Sequence, residues 1–321
     1  MLNQYHTIVI GAGMAGMAAA HTLADANAPV LVLDKGRGIS GRMATRRWGE
    51  ATFDHGAQFF SARTPAFQAF VEKGKQLETV QEWWPSIADN QYPRWIGKPG
   101  MNAVPKLLSS NATVLKSKKV VQVRENENGW EVETEDGDNF QAKSLLITIP
   151  APQAIQLLEN SGIAISGSPL PHIAYHPCLV VLAKLDRPSG IPAPGGMLAN
   201  GSVISWIADN FQKGISKTPC VTIHASPEFS TQHLDGDLPS AGQLIIDVAK
   251  DLIAPAKVQD WQIHRWRYSL CYQRHAEPFW QVDTKAPLIF GGDGFGMGNV
   301  EGAFVSGIAM AKEILEKTVN L

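Results

Sequence analysis

The stretch Thr7-Ile8-Val9-Ile10-Gly11-Ala12-Gly13-Met14-Ala15-Gly16-Met17-Ala18-Ala19-Ala20 decides the fold. A β-branched run enters three glycines spaced G-x-G-x-x-G, and an alanine-rich helix leaves them. Val30-Leu31-Val32-Leu33 reads as a second buried strand closed by Asp34. Strand, glycine turn, helix, strand and terminal acid in that order predict a βαβ unit that binds a dinucleotide. Gly11 permits the tight turn, Gly13 lets the backbone approach a pyrophosphate, and Gly16 lets helix and strand pack closely. The helix N-terminus offers unpaired N–H groups to the phosphates, and Asp34 is placed to accept hydrogen bonds from a ribose diol.

Lys35-Gly36-Arg37-Gly38-Ile39-Ser40-Gly41-Arg42-Met43-Ala44-Thr45-Arg46-Arg47 follows directly. A simple dinucleotide site proceeds from its acid into a helix, whereas a glycine-rich basic loop suits a longer cofactor whose pyrophosphate needs a cation. Arg42 can supply one in the bidentate geometry that only arginine offers; otherwise these arginines lie on a solvated turn. The far end of the chain returns to similar chemistry. Leu288-Ile289-Phe290-Gly291-Gly292-Asp293 is a buried strand with an acidic stop, and a helix is predicted from Glu301 to Lys317. Open α/β sheets bind ligands at such strand ends. Asp293 there can accept a cofactor hydroxyl, or act as a helix cap, and the N–H groups near Asn299 and Val300 can face an anion or a polarised ring edge.

Between these ends, Val114 to Val123, Gly129 to Glu135 and Ala142 to Ile149 alternate apolar and polar residues around turn signals, which predicts an antiparallel meander. From about Pro169 to Val282 the texture changes: Pro and Gly cluster at 188–196, apolar strands recur, and helical periodicity runs from Ala241 to Ile253. That pattern predicts an inserted α+β domain.

A net charge of -2 over 321 residues argues against a nucleic-acid-binding surface. No apolar run reaches the ~18 residues of a membrane span. Cys178, Cys220 and Cys271 are odd in number and scattered, as reduced thiols are. No basic segment precedes the first strand, so a signal peptide is not expected. The expectation is a soluble cytoplasmic protein with no metal site, because histidines and cysteines lack ligand spacing. Oligomeric state is left open, and a monomer suffices.

The opening glycines, the loop ending Gly41-Arg42-Met43, and Gly292-Asp293 resemble FAD-dependent oxidoreductases of the amine-oxidase superfamily. Within it, Asp34-Lys35, Asp54-His55-Gly56-Ala57-Gln58-Phe59-Phe60, Trp95-Ile96-Gly97-Lys98-Pro99-Gly100-Met101, Pro150-Ala151-Pro152-Gln153 and Val300-Glu301-Gly302-Ala303 resemble the bacterial renalase branch. Ser40 departs from the glycine doublet usual before the arginine. The resemblance implies an α/β fold in which a Rossmann-like FAD-binding domain with an antiparallel meander (1–62, 99–155 and 285–321) carries an inserted α+β substrate domain (63–98 and 156–284). It implies non-covalent FAD held by Gly11, Gly13, Ala15, Gly16, Asp34, Lys35, Gly41, Arg42, Met43, Gly56, Ala57, Gln58, Gly292, Asp293, Val300, Glu301 and Ala303. No cysteine between Gly291 and Gly302 is present to form a thioether.

The resemblance further implies oxidation of isomeric dihydronicotinamides to NAD(P)+, with oxygen reduced to hydrogen peroxide. A dihydropyridine becomes aromatic on losing hydride, so the protein needs chiefly to hold donor and acceptor in line. Phe59, Phe60, Trp206, Trp266 and Trp280 are candidate walls of a flat slot, or else core packing. Asn210 and His224 lie in segments similar to those where the family places substrate-orienting groups, although a histidine in an apolar strand is also an ordinary core residue. Arg265 and Arg267 could meet a substrate phosphate or simply face solvent. An amine oxidase or desaturase, or a GTPase chaperone that holds no flavin, would use the same scaffold.

Overall fold

The computed structural model describes residues 4–84, 92–109, 111–199 and 201–319. The opening strand, Gln4–Ile10, lies inside an eight-stranded sheet. It runs parallel to Val30–Asp34 on one side and to Asn139–Ile147 on the other, with Ile8 opposite both Leu31 and Leu145. The sheet continues to Leu288–Gly291 and Phe279–Val282 at one edge and to Thr113–Lys116 at the other. A strand covered on both faces must be apolar throughout, and Ile8, Val9, Ile10 and Leu31 to Leu33 are all buried.

The helix Met14–Asp25 leaves the glycine turn and packs against the terminal helix Asn299–Val319. The approach is close enough that a Cβ on Gly307 would fall 2.2 Å from the Ala15 carbonyl oxygen. Only glycine fits there, and the two ends of the chain are thereby packed together.

Two details of the predicted meander differ. The run expected from Val114 to Val123 breaks at Ser117, whose φ is 57°. Its first part, Thr113–Lys116, joins the parallel sheet beside Val30–Asp34, and Val120–Asn126 alone pairs with Gly129–Thr134. The strand Asn139–Ile147 uses both of its edges, antiparallel to Gly129–Thr134 over its first residues and parallel to the opening strand beyond.

A second, five-stranded antiparallel sheet has the order Gly196–Leu198, Ile204–Asp209, Cys220–Ala225, Ala174–Leu185 and Val258–Gln273. One face packs under the helix Leu238–Ile253, where Leu179, Val181 and Ala183 meet Ile245, Ala249 and Ile253. Asp237 caps that helix by accepting from the Ser240 N–H at 3.0 Å. The other face presents Cys178, Val180, Leu182 and Cys220 to a hairpin, Thr45–Trp48 with Ala51–Asp54, whose Ala51 and Phe53 fill the gap. Each such fully buried large apolar side chain contributes about 1.5–3 kcal/mol.

The expected domain ranges are cut differently by these contacts. The hairpin belongs to the range 1–62 yet packs on the second sheet, while Phe279–Val282 lies in 156–284 yet extends the first sheet. The two sheets thus share elements along the seam where the cavity opens.

Candidate active site

A cavity of about 1690 Å³ runs from the glycine turn to the second sheet. Sites for single small molecules are roughly 300–1,000 Å³, so this one can hold a long cofactor together with a second molecule. Gly11, Gly13, Asp34, Arg42, Gly292 and Val300 line one end, and Phe59, Trp206, His224, His264 and Trp266 the other.

At the glycine end the backbone forms a cradle that side chains would fill. Gly11 has φ 110°, and a Cβ on Gly16 would lie 1.9 Å from the Gly11 carbonyl oxygen. Gly41 has φ 53°, and its Cβ would press on the Gly13 Cα at 3.0 Å. Gly13 is the N-cap of the first helix and makes no side-chain capping bond, so the helix N–H groups face the cavity uncapped. The Asp34 carboxylate accepts from the Ala12 N–H and the Gly36 N–H, both at 2.6 Å. One bond per oxygen leaves lone pairs for hydroxyl donors. Lys35 donates to Gln153 Oε1 at 3.0 Å across the same rim.

Further in, Arg42 donates to both carboxylate oxygens of Asp293, at 2.7 and 2.5 Å, and to the carbonyls of Tyr268 and Ser269. Burial alone would lower the Arg42 pKa; the Asp293 charge and hydrogen bonds outweigh it and raise it. Gly56 supports this arginine, since a Cβ there would sit 1.9 Å from the Arg42 carbonyl oxygen, which the Ala57 N–H also holds at 2.8 Å. Met43 is buried beside them. Glu301, in the first turn of the terminal helix, accepts from the N–H groups of Arg63 and Thr64. It thereby fixes the neighbouring wall, and it lines the cavity together with Val300 and Ala303.

The register of the second sheet builds the other end. Trp206 pairs with His224, His224 with Val180, and Val180 with His264, so these four share one row on one face. Trp266 follows two residues after His264 on that face. The hairpin brings His55 against them: its ring stacks on Trp266 with centroids 5.3 Å apart and meets His264 edge-on at 4.7 Å. The Trp266 Nε1–H donates to the His55 carbonyl at 2.7 Å. Phe59 lies 5.7 Å from Trp206, and Gln58 Nε2 is 3.3 Å from His224 Nε2.

Four buried polar atoms on this wall have no hydrogen-bond partner among the described residues: His55 Nδ1, Gln58 Oε1, Trp206 Nε1 and His264 Nε2. Native proteins pair nearly all such groups, which marks the wall as a surface for a polar, planar ligand. Burial pushes the imidazoles down, His55 to about 3 and His224 and His264 to about 4, with Arg46 adding to the effect at His55 and His264. All three are neutral at pH 7.

The family model of the flavin containing amine oxidoreductases matches residues 77–315, and that of the NAD(P)-binding Rossmann-like domain matches residues 9–73. The chain belongs to the flavin-containing amine oxidoreductases. It is 26% identical to renalase of Mus musculus over 95% of this chain and 97% of that one. A solved structure named as a protoporphyrinogen oxidase, from Exiguobacterium sp. 255-15, superposes with a TM-score of 0.74 at 13% identity, covering 98% of this chain and 100% of that one. A putrescine oxidase double mutant superposes with a TM-score of 0.72 at 14% identity, covering 98% and 99%. These two likenesses show the fold.

As a member of this family the protein is a renalase-like FAD-dependent oxidoreductase. The residues fit the cofactor: the glycine cradle and uncapped helix suit a pyrophosphate, and Asp34 a ribose. Ala15, Gly41, Gly56, Ala57, Gln58, Gly292 and Val300 line the same cavity. Gly16 does not line it and acts through helix packing instead. None of the three cysteines lines it. Among the described residues, no helix is long and apolar enough to cross a membrane.

Several candidates fall elsewhere. Asn210 is fully buried behind the wall, donating to Thr222 Oγ1 at 3.0 Å and accepting from the Asp54 N–H at 3.4 Å. It ties strands together and does not face a substrate. Trp280 packs on Phe290 in the first sheet, 5.4 Å between centroids, away from the cavity. Phe60 reaches the cavity lining but is buried against Phe67. Arg265 and Arg267 reach the cavity lining, but both pair with Asp235, and Arg265 also donates to the Leu234 carbonyl.

Sequence reasoning missed the buried pair behind His224. Lys213 Nζ lies 2.9 Å from Asp54 Oδ2, both side chains fully buried. The other Asp54 oxygen accepts from Thr45 Oγ1 and the Met101 N–H, and its carbonyl from Gln58 and Thr222. Asp54 is visible in the sequence beside His55, but nothing there links it to Lys213.

Proposed function

We propose that this protein is an oxidase of the renalase type, which takes hydride from isomeric dihydronicotinamides (2- or 6-dihydro-NAD(P)) and returns NAD(P)+, with oxygen reduced to hydrogen peroxide. FAD, when bound, supplies the hydride acceptor and the route of electrons to oxygen. The observation that carries the reading is the wall of His55, His224, His264, Trp206 and Trp266, aromatic, neutral and edged by unpartnered polar atoms.

This wall suits the change in charge during the reaction. A dihydropyridine enters neutral and leaves as a pyridinium cation. Protonated imidazoles would oppose that charge, whereas neutral rings and indole faces favour it. His55 Nδ1, Gln58 Oε1 and His264 Nε2 can hydrogen-bond a carboxamide and fix the orientation of the ring. No proton leaves carbon, so no general base is needed. Among the described residues, the carboxylates that line the cavity are Asp34, Asp293 and Glu301, each already bonded to backbone N–H groups or Arg42.

The testing experiment is anaerobic mixing of the flavin-loaded protein with 2-dihydro-NAD, 6-dihydro-NAD, ordinary NADH and a set of amines. Rapid bleaching of the flavin by the isomers alone, followed by peroxide formation on admitting oxygen, supports the reading. Bleaching by an amine and not by the isomers overturns it in favour of an amine oxidase.

A further inference from the structure

Arg46 is a half-buried cation on the cavity lining. It lies on the hairpin strand Thr45–Trp48, and its guanidinium donates to the neutral Gln262 Oε1 at 3.1 Å. Gln262, His264 and Trp266 alternate along one strand and share a face, so Arg46 stands beside the aromatic wall. Among the described residues no carboxylate pairs with it, whereas Arg42 has Asp293 and Arg265 and Arg267 share Asp235. Arg94, the other half-buried arginine lacking an acid, sits over the rings of Phe59 and Trp84 and is not on the lining. An arginine fork with one amide partner retains donors for an anion. The charge is effective locally, since it helps keep His55 and His264 unprotonated.

The cofactor's pyrophosphate has its own cradle at Gly11, Gly13 and the first helix. The anion that Arg46 meets is therefore a separate one. We infer that Arg46 reads the phosphate of the electron donor, so that the site selects a nicotinamide nucleotide over a bare dihydropyridine or an amine. This rests on the dihydronicotinamide reading above and specifies how that donor is chosen.

Two donors differing only in the phosphate separate the possibilities: the isomeric dihydronicotinamide mononucleotide and its riboside. With the flavin-loaded protein, the mononucleotide should half-saturate flavin reduction at about one-tenth the concentration of the riboside. Arg46→Ala should abolish that difference by weakening the mononucleotide about tenfold, with the riboside and both limiting rates unchanged. Arg46→Lys should recover part of the loss, and added salt should weaken only the phosphorylated donor. As a readout independent of turnover, NAD+ titrated against tryptophan fluorescence should bind Arg46→Ala about tenfold more weakly than the parent.

Equal binding of NAD+ to parent and Arg46→Ala, no binding to the parent, or equal losses for mononucleotide and riboside would each overturn the assignment. If no dihydronicotinamide reduces the parent flavin, the proposed reaction fails, and the NAD+ titration still decides the role of Arg46.

Discussion

Arg42 and Asp293, 251 residues apart in the chain, meet through two parallel hydrogen bonds on the cavity wall. The sequence offers them as independent contacts, one for a phosphate and one for a hydroxyl; the structure makes them partners. Replacing Asp293 with Ala leaves the arginine without its counter-charge. The flavin-free protein should lose about 2 kcal/mol of stability in urea unfolding, the scale of hydrogen bonds to charged groups. Less flavin absorbance should also survive gel filtration. In the parent background Arg42→Lys should cost a similar amount, because a single ammonium cannot make the fork.

Asn210 and His224 should separate cleanly. Asn210→Ala strands the Asp54 N–H and weakens the Thr222 link, and should cost about 1–3 kcal/mol. The flavin of the folded protein should still be reduced at close to the parent rate. His224→Ala, on the cavity wall, should slow reduction at least tenfold in stopped-flow traces while costing less stability.

The buried imidazoles make stability depend on pH. Their folded pKa values, about 3 for His55 and about 4 for His224 and His264, lie below the unfolded 6.5. The unfolded chain therefore binds more protons as pH falls. Stability is fully present above about pH 6.5 and declines towards pH 4, by about 1.4 kcal/mol per pH unit for each such group. Urea midpoints measured between pH 7.5 and 4.5 should show this slope, and His55→Gln should flatten it.

The pair Lys213–Asp54 predicts an asymmetry. Lys213→Met leaves a carboxylate buried without its cation and should cost about 3–5 kcal/mol. Adding Asp54→Asn should recover much of that loss, since both charges are then gone. A double-mutant cycle in urea measures the coupling.

Trp266→Phe should retain most of the stack on His55 but lose the bond to its carbonyl, at about 1 kcal/mol in thermal or urea unfolding. A readjusted wall should also raise the concentration of donor needed for half-maximal reduction.

The first sheet was legible because its cues are local. Thr7 to Asp34 holds strand, turn, helix and acid within one short run, and each feature has one physical reading. The buried strand before Asp293 was legible for the same reason. The aromatic wall was only partly so. Trp206, His224 and His264 become neighbours through strand register, which no spacing along the chain encodes. Trp280 failed for the converse reason: an aromatic residue in an apolar strand points to a site or into the core according to its face, and one residue of register decides which, whereas Asn210 sits in the turn after Ile204–Asp209 and is held inward by Asp54 and Thr222. The split at Ser117 depends on a left-handed backbone at a serine, a conformation its sequence does not announce.

The contact of Gly307 with Ala15 has a bearing on how the molecule is made. The first helix emerges from the ribosome almost three hundred residues ahead of the helix that shields it, and Asp293 appears equally late. A nascent chain must keep that apolar surface from aggregating throughout synthesis, and can grip its prosthetic group only when translation is nearly done. Ribosome-stalled chains ending before residue 285 should hold no flavin, whatever its concentration.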